Sequence, residues 1–401
     1  MRDMAEALAC VDLPGDRRDR RTRVMLLLGS LGGGGAERVA INLMSRCEPA
    51  VVDLRLGLLR RTGPFLAEVD ARRLTALSDR GDSLVDWLSM PRDIARMIRS
   101  DRPDVLMSFG MGVDVLAWLA LKRLGRHRPR WICRQDSNPD AEIGALSVNR
   151  LGRGAIAAAT RRVHRSADGF VAVARDLAFR LDSRGYRGAR RTQVIHNPVD
   201  VSGIQRRAAE PLQAPGGRPF IVAAGRLTRQ KGFDLLIKAF ADSRAARGMD
   251  LVILGTGEME ADLKARAAAL GVGDRVRFPG FQVNPWSWFA RARLFVLSSR
   301  WEGFGNVVAE ALACGAPTLV TDCDFGPREQ VEHGSSGWVA RAEDAGALTA
   351  AIDTLLADRD LAAMLGEGGR SRARAFDIET IASAYTDLFL EQAATRGGRH
   401  G

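Results

Sequence analysis

Apolar residues in this chain come in short runs separated by stretches of helical spacing. Val24-Met25-Leu26-Leu27-Leu28 is wholly apolar and ends at Gly29, and Ala36 to Arg46 then carries apolar positions at helical intervals. The pattern predicts a buried strand, a loop and a helix. Runs of the same kind at Val51–Leu59, Val105–Phe109, Trp131–Cys133 and Gly169–Val173 alternate with helical stretches such as Val113–Leu124 and Asn149–Arg165. Such alternation implies a parallel α/β sheet. Between Asn197-Pro198 and Pro219 the period is broken by Pro211, Pro215, Gly216 and Gly217, which marks a linker. Beyond it the pattern restarts, with strands expected at Phe220–Ala224, Leu251–Leu254, Val276–Phe278, Leu294–Leu297 and Thr318–Thr321, and helices at Phe233–Ala246, Glu258–Leu270 and Asn306–Cys314. A second doubly wound domain follows. Ile381, Tyr385, Leu388 and Phe389, three or four apart, predict a closing amphipathic helix. No fixed-period repeat occurs, which sets solenoids and propellers aside.

Composition narrows the class. A chain of 401 residues, 46% hydrophobic and 27% charged, is long enough for two cores and is not of disordered composition. Its five cysteines are odd in number and scattered, with no CxxC pair, so neither a disulfide framework nor a zinc site is expected and a reducing cytoplasm fits. The first 22 residues mix Arg with Asp and Glu and hold no signal-peptide stretch, and no run of about 18 apolar residues could span a membrane. The net charge of +11 is one-sided: residues 1–200 hold 35 Lys and Arg against 24 Asp and Glu, whereas residues 201–401 hold 24 against 24. Such asymmetry suits a chain with one lobe on a polyanion or anionic membrane and the other on a small ligand. A nucleic-acid module is disfavoured, because there are only two tyrosines, no zinc-finger or RNP-like spacing, and the basic excess is spread thinly.

Three stretches could carry chemistry. Gly32-Gly33-Gly34-Gly35 lies between the first strand and helix, where backbone N–H groups at a helix N-terminus can take an anion. It is not a dinucleotide fingerprint, since no clean acidic partner follows the second strand. Gly225-Arg226-Leu227-Thr228-Arg229-Gln230-Lys231-Gly232 again follows a strand, and Arg226 with Lys231, a fork and a point charge, suits a diphosphate in the interdomain crevice. Finally, Glu302 stands at a strand end before a glycine turn, and Glu310 falls among Val308, Ala309, Ala311 and Leu312 in an apolar helix. A carboxylate so placed is costly unless it accepts strong hydrogen bonds, and vicinal sugar hydroxyls are suitable donors.

Glu302 and Glu310 resemble the paired-glutamate motif of retaining glycosyltransferases of family 4, enzymes with the GT-B fold. The resemblance extends past residue 22 through the Gly-rich loop with Ala36-Glu37-Arg38, the Ile195-His196-Asn197-Pro198-Val199-Asp200 joint, Gly225-Arg226 with Lys231-Gly232, and Gly255-Thr256-Gly257. It implies two facing Rossmann-like domains and a C-terminal helix that closes back toward the N-domain. The divisions expected are a polar tail (1–22), an acceptor-binding domain (23–198), a linker (199–218), a nucleotide-sugar-binding domain (219–375) and a closing helix and tail (376–401). By the same resemblance Arg226 and Lys231 bind the donor diphosphate and, with Glu302, form the catalytic set. Glu310 takes the ribose, Gly255 and the Phe304, Gly305, Asn306 and Val307 backbone take the donor, and Gly33, Gly34, Gly35 and Arg134 form an acceptor or diphosphate loop. Many relatives carry a histidine in an N-domain loop that reaches the sugar; the corresponding Cys133-Arg134-Gln135-Asp136-Ser137-Asn138-Pro139 has none. His196 is expected at the domain joint and His127, His164, His333 and His400 in polar surroundings, none of them catalytic.

The implied reaction moves a sugar, UDP-linked by preference, to an acceptor hydroxyl with retention, by front-face substitution and without cofactor or metal. The implied setting is lipid-linked or envelope glycan synthesis, peripheral at the cytoplasmic face of the inner membrane, with no nucleic-acid partner. A catalytically silent sugar-nucleotide-binding subunit and a nicotinamide-dependent oxidoreductase are the alternatives. For the Asn149–Arg165 helix, the spacing sets Arg150, Arg153, Arg161, Arg162 and Arg165 on one side and Leu151, Ala155, Ile156, Ala159 and Val163 on the other, with the Ala-rich stripe expected against the sheet.

Overall fold

The computed structural model describes residues 21–77, 84–186, 192–212 and 217–397; nearly all of the expected tail 1–22, with Cys10, lies outside them, as do Pro215, Gly216 and His400. Strands β1 (Thr22–Leu28), β2 (Val52–Leu58), β3 (Leu74–Ala76), β4 (Val105–Phe109), β5 (Arg130–Gln135), β6 (Gly169–Ala172) and β7 (Gln193–Val194) form a parallel sheet ordered β3-β2-β1-β4-β5-β6-β7. Strands β8 (Phe220–Ala224), β9 (Asp250–Leu254), β10 (Val276–Gly280), β11 (Leu294–Leu297), β12 (Thr318–Asp322) and β13 (Trp338–Arg341) form a second, ordered β10-β9-β8-β11-β12-β13. Helices cover both faces of each sheet, so central strands such as β4, β8 and β11 are buried residue by residue and read as continuous apolar runs rather than alternating ones. In both sheets the strand order reverses at the first strand, β1 or β8, and the crevice at that switch point is where open α/β sheets take ligands.

The closing helix runs Ile378–Gly397 and packs on the N-terminal sheet, not on the domain that precedes it. Ile381, Ala382, Tyr385, Leu388 and Phe389 are buried there with Val24, Leu26, Val105 and Met107, and each of the Ile, Leu, Val, Phe and Met side chains among them contributes about 1.5–3 kcal/mol. The chain therefore crosses between the domains twice. The crossings pair: Val199 N–H donates to Phe376 C=O and Ile378 N–H to Val199 C=O.

Two local readings change. The stretch 199–218 holds a helix, Val201–Ala208, capped by the Asp200 carboxylate on Gly203 N–H; its Val201, Ile204 and Ala208 pack beneath the helices Trp286–Phe289 and Asn306–Cys314. Three apolar residues at spacings of three and four were masked by the proline and glycine cluster that follows. In the helix Arg150–Arg165, capped by Asn149, the buried side is Thr160, Val163 and His164, while Leu151, Ala155 and Ala159 face outward and Leu151 is 85% exposed. His164 is consequently not in polar surroundings at the surface. It is fully enclosed, its Nε2 3.0 Å from Asp114 Oδ2, with Gln135 Nε2 donating to the same carboxylate oxygen at 2.6 Å and Ser108 Oγ to the other at 2.5 Å. Asp114, Cys133 and His164 lie close enough to hold a cation, but these hydrogen bonds already satisfy the buried carboxylate.

Candidate active site

A cleft of about 540 Å³ opens between the two sheets at their switch points, lined on one side by the Gly32–Arg38 loop, Phe65, Asp136 and Asn197, and on the other by Arg226, Lys231, Gly255, Trp286, Glu302, Asn306 and Glu310. Residues far apart in sequence thus meet on two facing walls. Arg134 does not join them: it is fully buried behind the cleft. Its Nε donates to Tyr385 Oη at 2.9 Å, one Nη to Asn197 Oδ1, and the other to Asp136 Oδ2 at 3.4 Å. Asn197 in turn donates to Asn306 Oδ1 at 2.6 Å, and Asn306 Nδ2 reaches Gly35 C=O at 3.1 Å. This chain of polar groups runs from the closing helix through β5 and the joint to the glycine loop, so Arg134 sets the relation of the walls.

On the C-terminal wall, β8 ends at Ala224 and the chain turns through Gly225. Gly255 has φ 126°, and a Cβ there would lie 2.0 Å from Gly225 C=O, so only glycine lets the ends of β8 and β9 approach. Arg226 is exposed to the cleft. Lys231 Nζ lies 2.5 Å from Glu302 Oε1, which also accepts from Ser299 Oγ at 2.6 Å; both charged side chains are largely covered. Gly305, at φ 82°, precedes the helix Asn306–Cys314, whose first turn, Asn306 and Val307, lines the cleft. Phe304 contributes backbone rather than ring: its side chain is buried against His196 and Phe376, and Gln330 Nε2 donates to its carbonyl. Glu310 accepts from Trp286 Nε1 at 3.1 Å, and burial pushes its carboxyl above the ordinary glutamate range, with the indole N–H pulling the other way.

On the N-terminal wall the anion seat is already filled. The Glu37 carboxylate folds back over Gly34 and accepts the backbone N–H groups of Gly34 and Glu37; burial raises its pKa and those bonds partly offset the rise. Phe65 and Phe281 face each other across the mouth with ring centroids 6.4 Å apart, and a Cβ on Gly33 would sit 3.3 Å from the Phe281 ring. At the joint, His196 Nε2 lies 3.0 Å from Glu329 Oε2, while Glu329 Oε1 accepts Asp176 N–H, and the His196 hydrogen bond helps hold the Glu329 carboxyl below its usual range against burial. Neither Trp286 nor the Phe65–Phe281 pair was assigned from sequence. Trp286 and Phe65 lie in single short helical turns and Phe281 in a loop, segments too short to carry a periodic signal.

Comparison with known proteins places this geometry in a family. The profile for Glycosyltransferase Family 4 matches residues 33–202 and that for Glycosyl transferases group 1 matches residues 205–372. The lipopolysaccharide core biosynthesis glycosyltransferase LpsE of Rhizobium meliloti (strain 1021) is 28% identical over 90% of this chain and 96% of its own length. The N-acetylgalactosamine-N,N'-diacetylbacillosaminyl-diphospho-undecaprenol 4-alpha-N-acetylgalactosaminyltransferase of Campylobacter jejuni is 31% identical over 48% of this chain and 52% of its own. Among solved structures, HepE of Anabaena, in complex with UDP and glucose, superposes with a TM-score of 0.77 at 20% identity, covering 92% of this chain and all of that one. The last of these speaks to fold alone, and the fold it shares is the pair of facing Rossmann-like domains expected from the sequence.

Proposed function

Because this chain belongs to the glycosyltransferases, its first half to Family 4 and its second to group 1, we propose that it moves a sugar from a nucleotide-diphosphate sugar to a hydroxyl of a growing, lipid-linked glycan, with retention at the anomeric carbon. The observation that carries this is the meeting, in one interdomain cleft, of two cations, two carboxylates and a helix N-terminus. Arg226 and Lys231 neutralise the diphosphate, Glu310 accepts the ribose hydroxyls, and Glu302 with the 304–307 backbone holds the sugar. The acceptor attacks on the face the diphosphate leaves: its oxygen bonds to the anomeric carbon as the carbon–phosphate oxygen bond breaks, and its proton passes to the departing phosphate. Catalysis of this kind rests on positioning and charge neutralisation. Protein groups supply both here, so turnover persists in excess EDTA.

The donor is a UDP-sugar in this reading, supported by the similar fold of HepE, whose structure holds UDP and glucose. A thermal-shift screen of UDP-, GDP- and ADP-sugars tests it, since a ligand at 100 times its Kd adds about 2.7 kcal/mol. Stabilisation by no nucleotide sugar overturns the proposal. Glu310→Gln weakens binding by about 1.5–3 kcal/mol, the scale of hydrogen bonds to a charged group. The pH dependence has a definite sign. Nucleotide affinity falls as pH drops through the raised pKa of Glu310, above the ordinary glutamate range, whereas the same group makes the empty fold more stable on acidification. Isothermal titration at several pH values separates the two, and Glu310→Gln loses both dependences.

The acceptor lobe lies against the cytoplasmic face of an anionic inner membrane in this proposal. Among the described residues no helix is long and apolar enough to cross a membrane. What supports peripheral contact is the N-terminal charge excess together with the exposed Leu146, Val148 and Leu151 beside the exposed Arg150 and Arg153. Basic residues near such a surface contribute up to about 1 kcal/mol each, within a Debye length. The protein co-sediments with anionic vesicles at low salt and is released at about 0.5 M; equal recovery in the supernatant with anionic and neutral vesicles at both salt levels overturns this part alone.

A further inference from the structure

We propose that Glu329 is a positioning residue, which ties the N-terminal domain to the turn 302–305 and so couples closing of the cleft to placement of the donor. The proposal rests on the donor reading above, but Glu329 itself does not line the cleft. It belongs to the C-terminal domain, in the short helix Pro327–Gln330 that follows β12, yet both oxygens of its largely covered carboxylate serve the other domain. Oε1 accepts Asp176 N–H at 3.1 Å, in the first turn of the helix Arg175–Ser183, and Oε2 lies 3.0 Å from His196 Nε2. The residue at the cap position of that helix, Ala174, offers no side-chain acceptor, so a carboxylate from the second domain supplies one where the helix dipole favours it. Arg180 of the same helix reaches the neighbouring residues, 3.8 Å from Asp324 Oδ2 and with its guanidinium carbon 5.6 Å from the centre of the Phe325 ring.

The same segment grips the donor turn from behind. Glu302 N–H donates to Asp324 C=O at 3.0 Å, Trp301 and Asp324 form an isolated parallel bridge, and Gln330 Nε2 donates to Phe304 C=O. Gly326, at φ 82°, packs so closely that a Cβ on it would lie 2.4 Å from Phe304 Cα. Phe325 has φ 67°, a left-handed conformation that strains a bulky residue and persists only where its surroundings fix it. Arg372 donates to the carbonyls of Glu329 and Gln330, which holds the backbone of both residues on the C-terminal domain and leaves the Glu329 side chain to reach across. Residues 324–330 therefore form a stiff link, bonded to Glu302 and Phe304 at one side and to His196 and Asp176 at the other. Two domains joined by a pair of chain crossings can hinge, and contacts made only when the walls are together favour the closed state. A nucleotide that settles the donor turn then favours the Glu329 contacts, and by linkage those contacts favour the nucleotide-bound arrangement equally.

The test uses the full chain with free UDP as the probe, in the wild type and in Glu329→Ala, Glu329→Gln and His196→Leu. Isothermal titration gives the affinity, and hydrogen-exchange mass spectrometry gives the protection of the helix Arg175–Ser183, none of whose residues lines the cleft. In the wild type UDP slows exchange in that helix about 10-fold. Glu329→Ala binds UDP within about twofold of wild type, because the proposed nucleotide contacts stay in place, and loses the UDP-dependent slowing. Glu329→Gln keeps an oxygen for Asp176 N–H and retains most of it, a rescue that a role in packing alone does not require. His196→Leu fills the space without an N–H and loses part of it. Slowing that persists in Glu329→Ala overturns the coupling, as does a wild type that binds UDP with no slowing in this helix. Parallel loss of UDP affinity and slowing in Glu329→Ala overturns it too, since that is the mark of general disruption. If Glu329→Ala does not fold, His196→Leu decides in its place, and undiminished slowing there overturns the coupling. A wild type that binds no UDP marks instead the failure of the donor reading, and this proposal falls with it.

Discussion

Lys231→Ala will lower turnover by about 100- to 1000-fold, the scale of removing one preorganised electrostatic contact from a transition state. It will also destabilise the fold. Lys231 and Glu302 meet at 2.5 Å with 15% and 6% of their side chains exposed, so loss of the amine leaves a buried carboxylate supported by Ser299 alone. Breaking a buried pair from one side costs about 3–5 kcal/mol, most of it the penalty of the stranded charge. The two effects separate in the double variant. Lys231→Ala with Glu302→Gln recovers much of the urea midpoint, because no charge is left unpaired, and recovers none of the turnover. Recovery of both would mean that the lysine serves only to hold the glutamate, and the diphosphate role would then fall to Arg226.

The second large effect comes from a single methyl group. Gly303→Ala introduces a Cβ that would lie 1.6 Å from the carbonyl oxygen and 2.3 Å from the carbonyl carbon of Asp136, both backbone atoms of the opposite wall. Neither can yield by a side-chain rotation, so the walls must part. Each sheet keeps its own core, and thermal stability changes little, whereas turnover falls by about 100-fold or more because displacements of about 1 Å at the reacting groups cost that much. Free UDP still binds, since its proposed contacts lie on the C-terminal wall. Wild-type turnover in this variant would show that the approach of Asp136 to Gly303 is not needed for reaction.

The two-sheet architecture was legible because the strands are buried on both faces and stand out as apolar runs, and because Ile381, Tyr385, Leu388 and Phe389 keep helical spacing. The positions of Arg226, Lys231, Glu302 and Glu310 in one cleft were readable for the same reason: each follows a strand end or sits in a helix whose place the pattern fixes. What did not show was the contact between elements distant in sequence. Arg134 looks like a loop cation until Tyr385, 251 residues away, and Asn197 claim it. His164 looks like a surface residue in an Arg-rich helix until Asp114 closes on it. The helix Val201–Ala208 was hidden by prolines that lie beyond its end. In each case a polar partner supplied by another part of the fold decides the outcome, and no local period encodes it.

The closing helix has a consequence for how the protein is made. Residues Ile378–Gly397 complete the core of the sheet built from residues 22–194, so the ribosome has released the whole second domain before the first can bury Met107 and Leu26 fully. Until Phe389 emerges, one face of the earlier sheet stays wet and adhesive. The usual order, in which the leading domain folds as it leaves the ribosome, is thus interrupted: the trailing sheet, whose core is supplied by its own segment, matures first, and the leading one waits for the tail. A released chain truncated just before Ile378 will be cut by protease in its first half and protected in its second.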